Sequence, residues 1–183
     1  MTKIIDTTFI VAAGKGTRMA PLTDHTPKPL VPLAGRPILD YMLDHLRKTD
    51  VRNLTVNTHY LPENMRTYLA GITDFTVTES YEPELLETGG GLQKSLPNLG
   101  TKPIFMINGD AFWTDGPSGP ILQQMVQQFD TATMDILLLL IPVSQMKLTE
   151  AVGDYDIDAT GHGLRRKDKS GQYMFTGIRI LNP

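Results

Sequence analysis

The sequence contains no cysteine. That removes thiol nucleophiles, disulfide frameworks and cysteine-ligated zinc or iron–sulfur sites, and it suits a reducing, cytoplasmic setting. Long hydrophobic runs are also missing. The longest, Ile136 to Pro142, is far below the roughly 20 residues of a membrane span. Phe9 to Ala13 is too short for the h-region of a secretory signal, so the reading is cytoplasmic, with no membrane partner. A basic excess is absent too: the net charge is −3, which argues against a general nucleic-acid binder. The histidines His25, His45, His59 and His162 have no metal-like spacing, and His45 falls on an apolar helical face, where it reads as a satisfied core residue.

What is present is a chain of 183 residues, long enough to bury roughly 70% of its unfolded surface without staples. No linker, internal repeat or low-complexity tract divides it, so 1–183 reads as a single domain. Thr7–Ala13 is a buried strand by its β-branched and apolar run, and helical spacing begins at Pro37 with Ile38, Tyr41, Met42, His45 and Leu46. Strands are expected at Asn53–Thr58, Phe75–Glu79, Pro103–Asn108 and Asp135–Val143. Helices are expected at Pro62–Ala70, near Gly90, and at Pro120–Phe129. This alternation implies an α/β fold: a Rossmann-like mixed, mostly parallel sheet with helices on both faces. The last third changes texture. Short strands at Asp154–Asp158, Leu164–Arg166 and Tyr173–Leu181, separated by turn-rich sequence, read as antiparallel additions.

Charge is unevenly placed. Between Gly14 and Arg36 stand Lys15, Arg18, Lys28 and Arg36 against Asp24 alone, a local +3 within an acidic chain. Such an island is either a solvated loop or a seat for a small, highly charged anion. It begins where the first strand leaves the sheet, and Gly14 and Gly16 at that exit let backbone amides approach phosphate oxygens. A dinucleotide fingerprint would need glycine where Met19 stands, and the prolines at 21, 27, 29 and 32 forbid a continuous helix. A Walker loop would need Ser or Thr after Lys15, where Gly16 stands.

The stretch AAGKGTRMAPLTDHTPKPLVPLAGRPILDY instead resembles the signature of the sugar-1-phosphate nucleotidyltransferases: G-x-G-T-R-x-x-P-L-T, a spacer, then K-P. Gly14, Gly16, Thr17, Arg18, Pro21, Leu22, Thr23, Lys28 and Pro29 fill it. LETGGG at Leu86–Gly91, NGD at Asn108–Asp110 and FTGIRIL at Phe175–Leu181 follow in order, in forms most like the bacterial N-acetylmuramate-1-phosphate uridylyltransferases of cell-wall recycling. The resemblance implies an Mg²⁺-dependent transfer of a nucleotidyl group, uridylyl in the leading reading, to a sugar-1-phosphate such as N-acetylmuramate 1-phosphate, with release of pyrophosphate. Two alternatives stand beside it. One is a guanylyl or thymidylyl transferase acting on a mannose- or glucose-type phosphate; the other is a nucleotide-sugar-binding protein that has lost catalysis.

The residues divide accordingly. The resemblance gives Ala12, Ala13, Gly14, Gly16 and Thr17 to the nucleotide loop; Lys15 is either a triphosphate contact or a mobile surface charge. Arg18 can fork onto the β and γ phosphates. Pro27 and Pro29 aim Lys28, which the family places at the α-phosphate and the incoming sugar phosphate. Asp110, ending an apolar strand, can hold Mg²⁺ among phosphates. Thr88, Gly89 and Gly90 open a helix whose small residues admit a flat base, and Glu79 and Glu87 flank it as acceptors for base or ribose. Asn108, Asp156, Thr176 and Gly177 are sugar-side candidates by resemblance. One departure stands out. The family continues to a W-x-D-V-G-T-like motif with a second metal ligand, whereas the only tryptophan here is Trp113. The resemblance therefore implies either a chain lacking a C-terminal segment or one that holds its metal differently.

Overall fold

A computed structural model describes residues 4–146 and 153–183. Strand β1 (Thr7–Val11) leads into two short 3-10 turns, Thr17–Met19 and Lys28–Leu30, in the proline-rich stretch that cannot carry a long helix. β2 (Pro32–Leu33) and β3 (Arg36–Pro37) pair as a hairpin whose two turn residues, Ala34 and Gly35, both have positive φ, as a tight primed turn demands. Then follow α1 (Ile38–Leu46), β4 (Asn53–Thr58), α2 (Pro62–Ala70), β5 (Thr76–Tyr81), α3 (Glu87–Ser95), β6 (Ile104–Asn108), α4 (Ile121–Gln128) and β7 (Ile136–Pro142). β8 (Tyr155–Ile157), β9 (Gly163–Arg165) and β10 (Tyr173–Leu181) complete the order.

The chain packs as two compact units, Met1–Leu137 with Arg179–Pro183, and Leu138–Ile178. In the first, β5, β4, β1 and β6 lie side by side in that order, all parallel. Successive residues of a strand face opposite sides of its sheet. Since Thr7, Thr8, Phe9 and Ile10 of β1, Leu54 to Thr58 of β4 and Ile104 to Ile107 of β6 are all buried, both faces of this sheet are covered, as expected of a parallel sheet flanked by helices. α1 buries Leu39, Met42, Leu43 and Leu46, one stripe at helical spacing. Phe9, Leu99, Ile104, Met106 and Leu181 form one core cluster, with Val11 and Leu92 against it. Truncating a fully buried Phe such as Phe9 to Ala removes about 3–5 kcal/mol, which fixes β1 firmly beneath the loop it carries.

In the second unit the expected antiparallel strands are found: β10 pairs with β8, and β8 with β9. β7 also pairs with β10, and the Thr176 hydroxyl donates to the Leu139 carbonyl at 2.9 Å. Among the described residues no helix is long and apolar enough to cross a membrane.

Candidate functional site

At the carboxyl ends of the four parallel strands the chain turns out of the sheet, the place where open α/β sheets hold ligands. Ala12 and Ala13 leave β1 buried, and Gly14 and Lys15 emerge exposed. Gly16 takes a left-handed conformation, φ 66°, and a Cβ there would stand 3.0 Å from Thr23 Cγ2 and 3.1 Å from Lys28 Cβ. Only glycine satisfies both demands. Thr23, buried, donates through its hydroxyl to the Gly16 carbonyl at 3.0 Å, and the Tyr60 hydroxyl donates to the Thr23 carbonyl at 2.9 Å, so the loop is latched from beneath.

The basic segment then folds back. Lys28 opens its 3-10 turn between Pro27 and Pro29, and its ammonium is ion-paired with Asp110, two residues beyond β6. The strand ends are close here: the Gly109 N–H donates to the Val11 carbonyl at 2.8 Å, and a Cβ on Gly109 would meet Pro29 Cγ at 2.9 Å. Beyond Asp110 the chain is anchored by His45, stacked on Trp113 at 4.3 Å. Its ring nitrogens lie 3.1 Å from an Asp115 carboxylate oxygen and 3.1 Å from the Trp113 carbonyl. This is the satisfied histidine read from the sequence.

Two buried polar residues that sequence reasoning did not single out tie β1 to α3. The Ala12 N–H donates to Asn57 Oδ1 at 2.6 Å, and Asn57 Nδ2 donates to Glu82 Oε1 at 2.8 Å. Glu82 Oε2 in turn accepts from the Leu86 N–H at 3.0 Å. Gly91 sits against this bridge, where a Cβ would stand 2.6 Å from Glu82 Oε1 and 2.7 Å from Asn57 Nδ2. The signal available in the sequence was a polar Asn in a strand that is otherwise mostly apolar and β-branched, and an acid just after the next strand. The partners themselves are non-local.

These elements enclose an open cleft of about 360 Å³, lined by Val11, Ala12, Gly14, Gly16, Thr17, Arg18, Lys28, Pro29, Thr88, Asn108 and Asp110. Among the described residues its charged walls are two cations and one carboxylate, so it offers a seat for an anion. Other residues singled out from the sequence lie elsewhere. Lys15 is exposed, while Glu87, Gly89 and Gly90 lie in the first turns of α3 without lining the cleft, Glu87 at φ 58°. Glu79 is engaged on both oxygens: the Thr58 hydroxyl donates to one, and Arg66 Nε donates to the other at 2.8 Å. In the second unit Asp156 accepts from the Gln172 N–H at 3.0 Å and from Arg166 Nε at 2.5 Å. Those two donors hold its carboxyl below the ordinary value. Thr176 is bonded within its own sheet, and Gly177 has a left-handed φ of 85°. Among the described residues no group of three or more His, Cys, Asp or Glu side chains could hold a metal.

The pattern of the nucleotidyl transferase family matches residues 7–162. An N-acetylmuramate alpha-1-phosphate uridylyltransferase from Caulobacter vibrioides is 32% identical over 182 residues, spanning 96% of this chain and 74% of that one. Another from Neisseria meningitidis serogroup B is 39% identical over 105 residues, spanning 56% of this chain and 46% of its own. A solved UDP-glucose pyrophosphorylase in complex with UDP-glucose shares the fold at 16% identity, with a TM-score of 0.79 over 98% of this chain and 77% of its own.

Proposed function

The chain belongs to the nucleotidyl transferase family, and from that premise we propose that it transfers a uridylyl group from UTP to a sugar-1-phosphate, N-acetylmuramate 1-phosphate in the leading case. An oxygen of the sugar phosphate attacks the α-phosphorus, the bond to the β-phosphate oxygen breaks, and pyrophosphate leaves. The observation that carries this reading is the convergence of Gly16, Arg18, Lys28, Thr88 and Asp110 on one cleft. Transfers of this kind ask little covalent chemistry of a protein; positioning and charge neutralisation dominate. Arg18 is assigned to the β and γ phosphates, and its charge holds at any physiological pH. Lys28 meets the α-phosphate and the incoming sugar phosphate. The amides around Gly14 and Gly16 supply further donors. Thr88, which lines the cleft, receives the base, and Asn108, also on its wall, serves the sugar.

Mg²⁺ fits the residues present in one specific way. Among the described residues that line the cleft Asp110 is the single carboxylate, which suits an ion that keeps most of its waters and takes its other ligands from phosphates. When bound, such an ion neutralises charge on the phosphate oxygens. Pyrophosphate release from UTP, GTP and TTP against a panel of sugar-1-phosphates, with Mg²⁺ and with chelator, tests the reading. Release should require both substrates and the metal and be fastest with UTP and N-acetylmuramate 1-phosphate. Nucleotide binding without release for any pair would point to a protein that has lost catalysis.

A further inference from the structure

Three adjacent strand ends, those of β5, β4 and β1, are crossed by one line of hydrogen bonds, buried at Asn57 and Glu82 and half-buried at the Leu86 bond: Leu86 N–H to Glu82, Asn57 to Glu82, Ala12 N–H to Asn57. One end of the line is Ala12, which lines the cleft; the other is Leu86, two residues before Thr88, which lines it too. Glu82 is fully buried and Asn57 nearly so.

Stability alone does not account for such a pair. A carboxylate taken out of water carries a penalty that its partners at best offset, and apolar side chains of similar volume often serve a core equally well. What an apolar pair cannot do is fix two backbone amides at a set separation. The line does this. It draws Leu86 toward β5, the next residue Glu87 adopts a left-handed φ of 58°, and Gly91 is pressed so close to the pair that no side chain fits. Left-handed backbone at a non-glycine residue persists where its surroundings dictate it, and such places cluster at ligand clamps.

We infer that Asn57 and Glu82 are a positioning pair that sets the spacing between the glycine loop and the start of α3, and so the grip on the nucleoside triphosphate. The inference rests on the proposed function and adds residues that touch neither phosphate nor base. The bridge is rigid because each of its polar atoms has one role: Asn57 Oδ1 and both Glu82 oxygens accept, and Asn57 Nδ2 donates.

That strict assignment permits a swap. Asn57→Asp alone sets two carboxylates against each other. Glu82→Gln alone turns an amide NH2 toward another donor. Together they restore every bond: the introduced aspartate accepts from the Ala12 N–H and from the introduced glutamine amide, whose carbonyl accepts from the Leu86 N–H. One negative charge and three hydrogen bonds remain, with the middle bond reversed. The experiment measures UTP affinity by calorimetry without sugar phosphate, with GTP and TTP as parallel arms, and melting temperature, for the wild type, both single variants and the double variant. Each single should weaken UTP binding about tenfold or more, the order expected when a binding group is displaced by less than an ångström. The double should return to within about threefold of wild type, the coupling expected of residues in one network. Folded singles that bind UTP as tightly as wild type overturn the inference, as does a folded double that fails to regain affinity. If the singles do not fold, the double decides alone. A wild type that binds none of the triphosphates overturns the proposed function and this inference with it; an intact wild type with unaffected singles overturns this inference only.

Discussion

The Lys28 ammonium is ion-paired with the Asp110 carboxylate in the cleft, the first brought by a turn held between two prolines, the second by the strand leaving the sheet beside β1. Their side chains are 25% and 33% exposed. A pair that wet contributes only about 0–1 kcal/mol to stability. On the proposed function the lysine and the carboxylate exchange partners when a triphosphate binds, and substitution should be felt in turnover before it is felt in folding.

Lys28→Ala and Asp110→Asn should each lower turnover by about 10²–10³-fold, the usual consequence of removing a group that meets charge developing in the transition state. Stability should change by no more than about 1 kcal/mol. Parallel pyrophosphate-release assays and denaturant titrations check both halves.

The two loop glycines should separate. Gly16→Ala forces a side chain into φ 66° and to within 3.0 Å of Thr23, so it should lose at least the roughly 1–2 kcal/mol of a left-handed residue and weaken triphosphate binding. Gly14→Ala meets nothing within 4 Å, so its stability should stay within about 0.5 kcal/mol of wild type. Chemical denaturation of both variants measures the contrast.

Two glycines of α3, Gly89 and Gly91, should move stability in opposite directions. A Cβ on Gly89 meets nothing within 4 Å, and alanine is a better helix former, so Gly89→Ala should stabilise by about 0.5–1 kcal/mol. Gly91→Ala drives a methyl into the Asn57–Glu82 pair and should destabilise by about 1–3 kcal/mol. If the base approaches this turn, Gly89→Ala should also weaken nucleotide affinity while raising the melting point. Thermal melts with and without UTP show whether it does.

Asp156 should contribute to acid sensitivity. The Gln172 N–H and Arg166 hold its carboxyl below the ordinary value, so the unfolded chain binds the proton more readily than the folded one. Stability from this group is complete above about pH 4 and is lost as pH falls through the lowered value. Asp156→Asn should therefore be less stable than wild type at neutral pH, and the gap should narrow in strong acid. Urea midpoints across pH measure it.

Much of this arrangement was legible because its signals are local. The run Thr7–Ala13 and the glycines behind it place a loop at a strand exit, the prolines flanking Lys28 announce a turn, and helical spacing from Pro37 foretells α1. α3 begins at Glu87 rather than near Gly90 because Glu82 holds the Leu86 N–H, a partner four residues back that periodicity does not register. Asn57 was visible only as part of a strand, and its importance comes from Ala12 and Glu82, 45 and 25 residues away. Glu79 was visible as an acid, but its engagement by Thr58 and Arg66 arises when β5 settles against β4 and α2.

The central claim concerns which bond breaks, and labelled substrate tests it most directly. With UTP carrying label only at the α-phosphorus, Mg²⁺ and N-acetylmuramate 1-phosphate, the label should pass into the nucleotide sugar as sugar phosphate is consumed, while the pyrophosphate released stays unlabelled. Label that remains in UTP, or that appears only as free nucleotide irrespective of the sugar phosphate, would contradict the account.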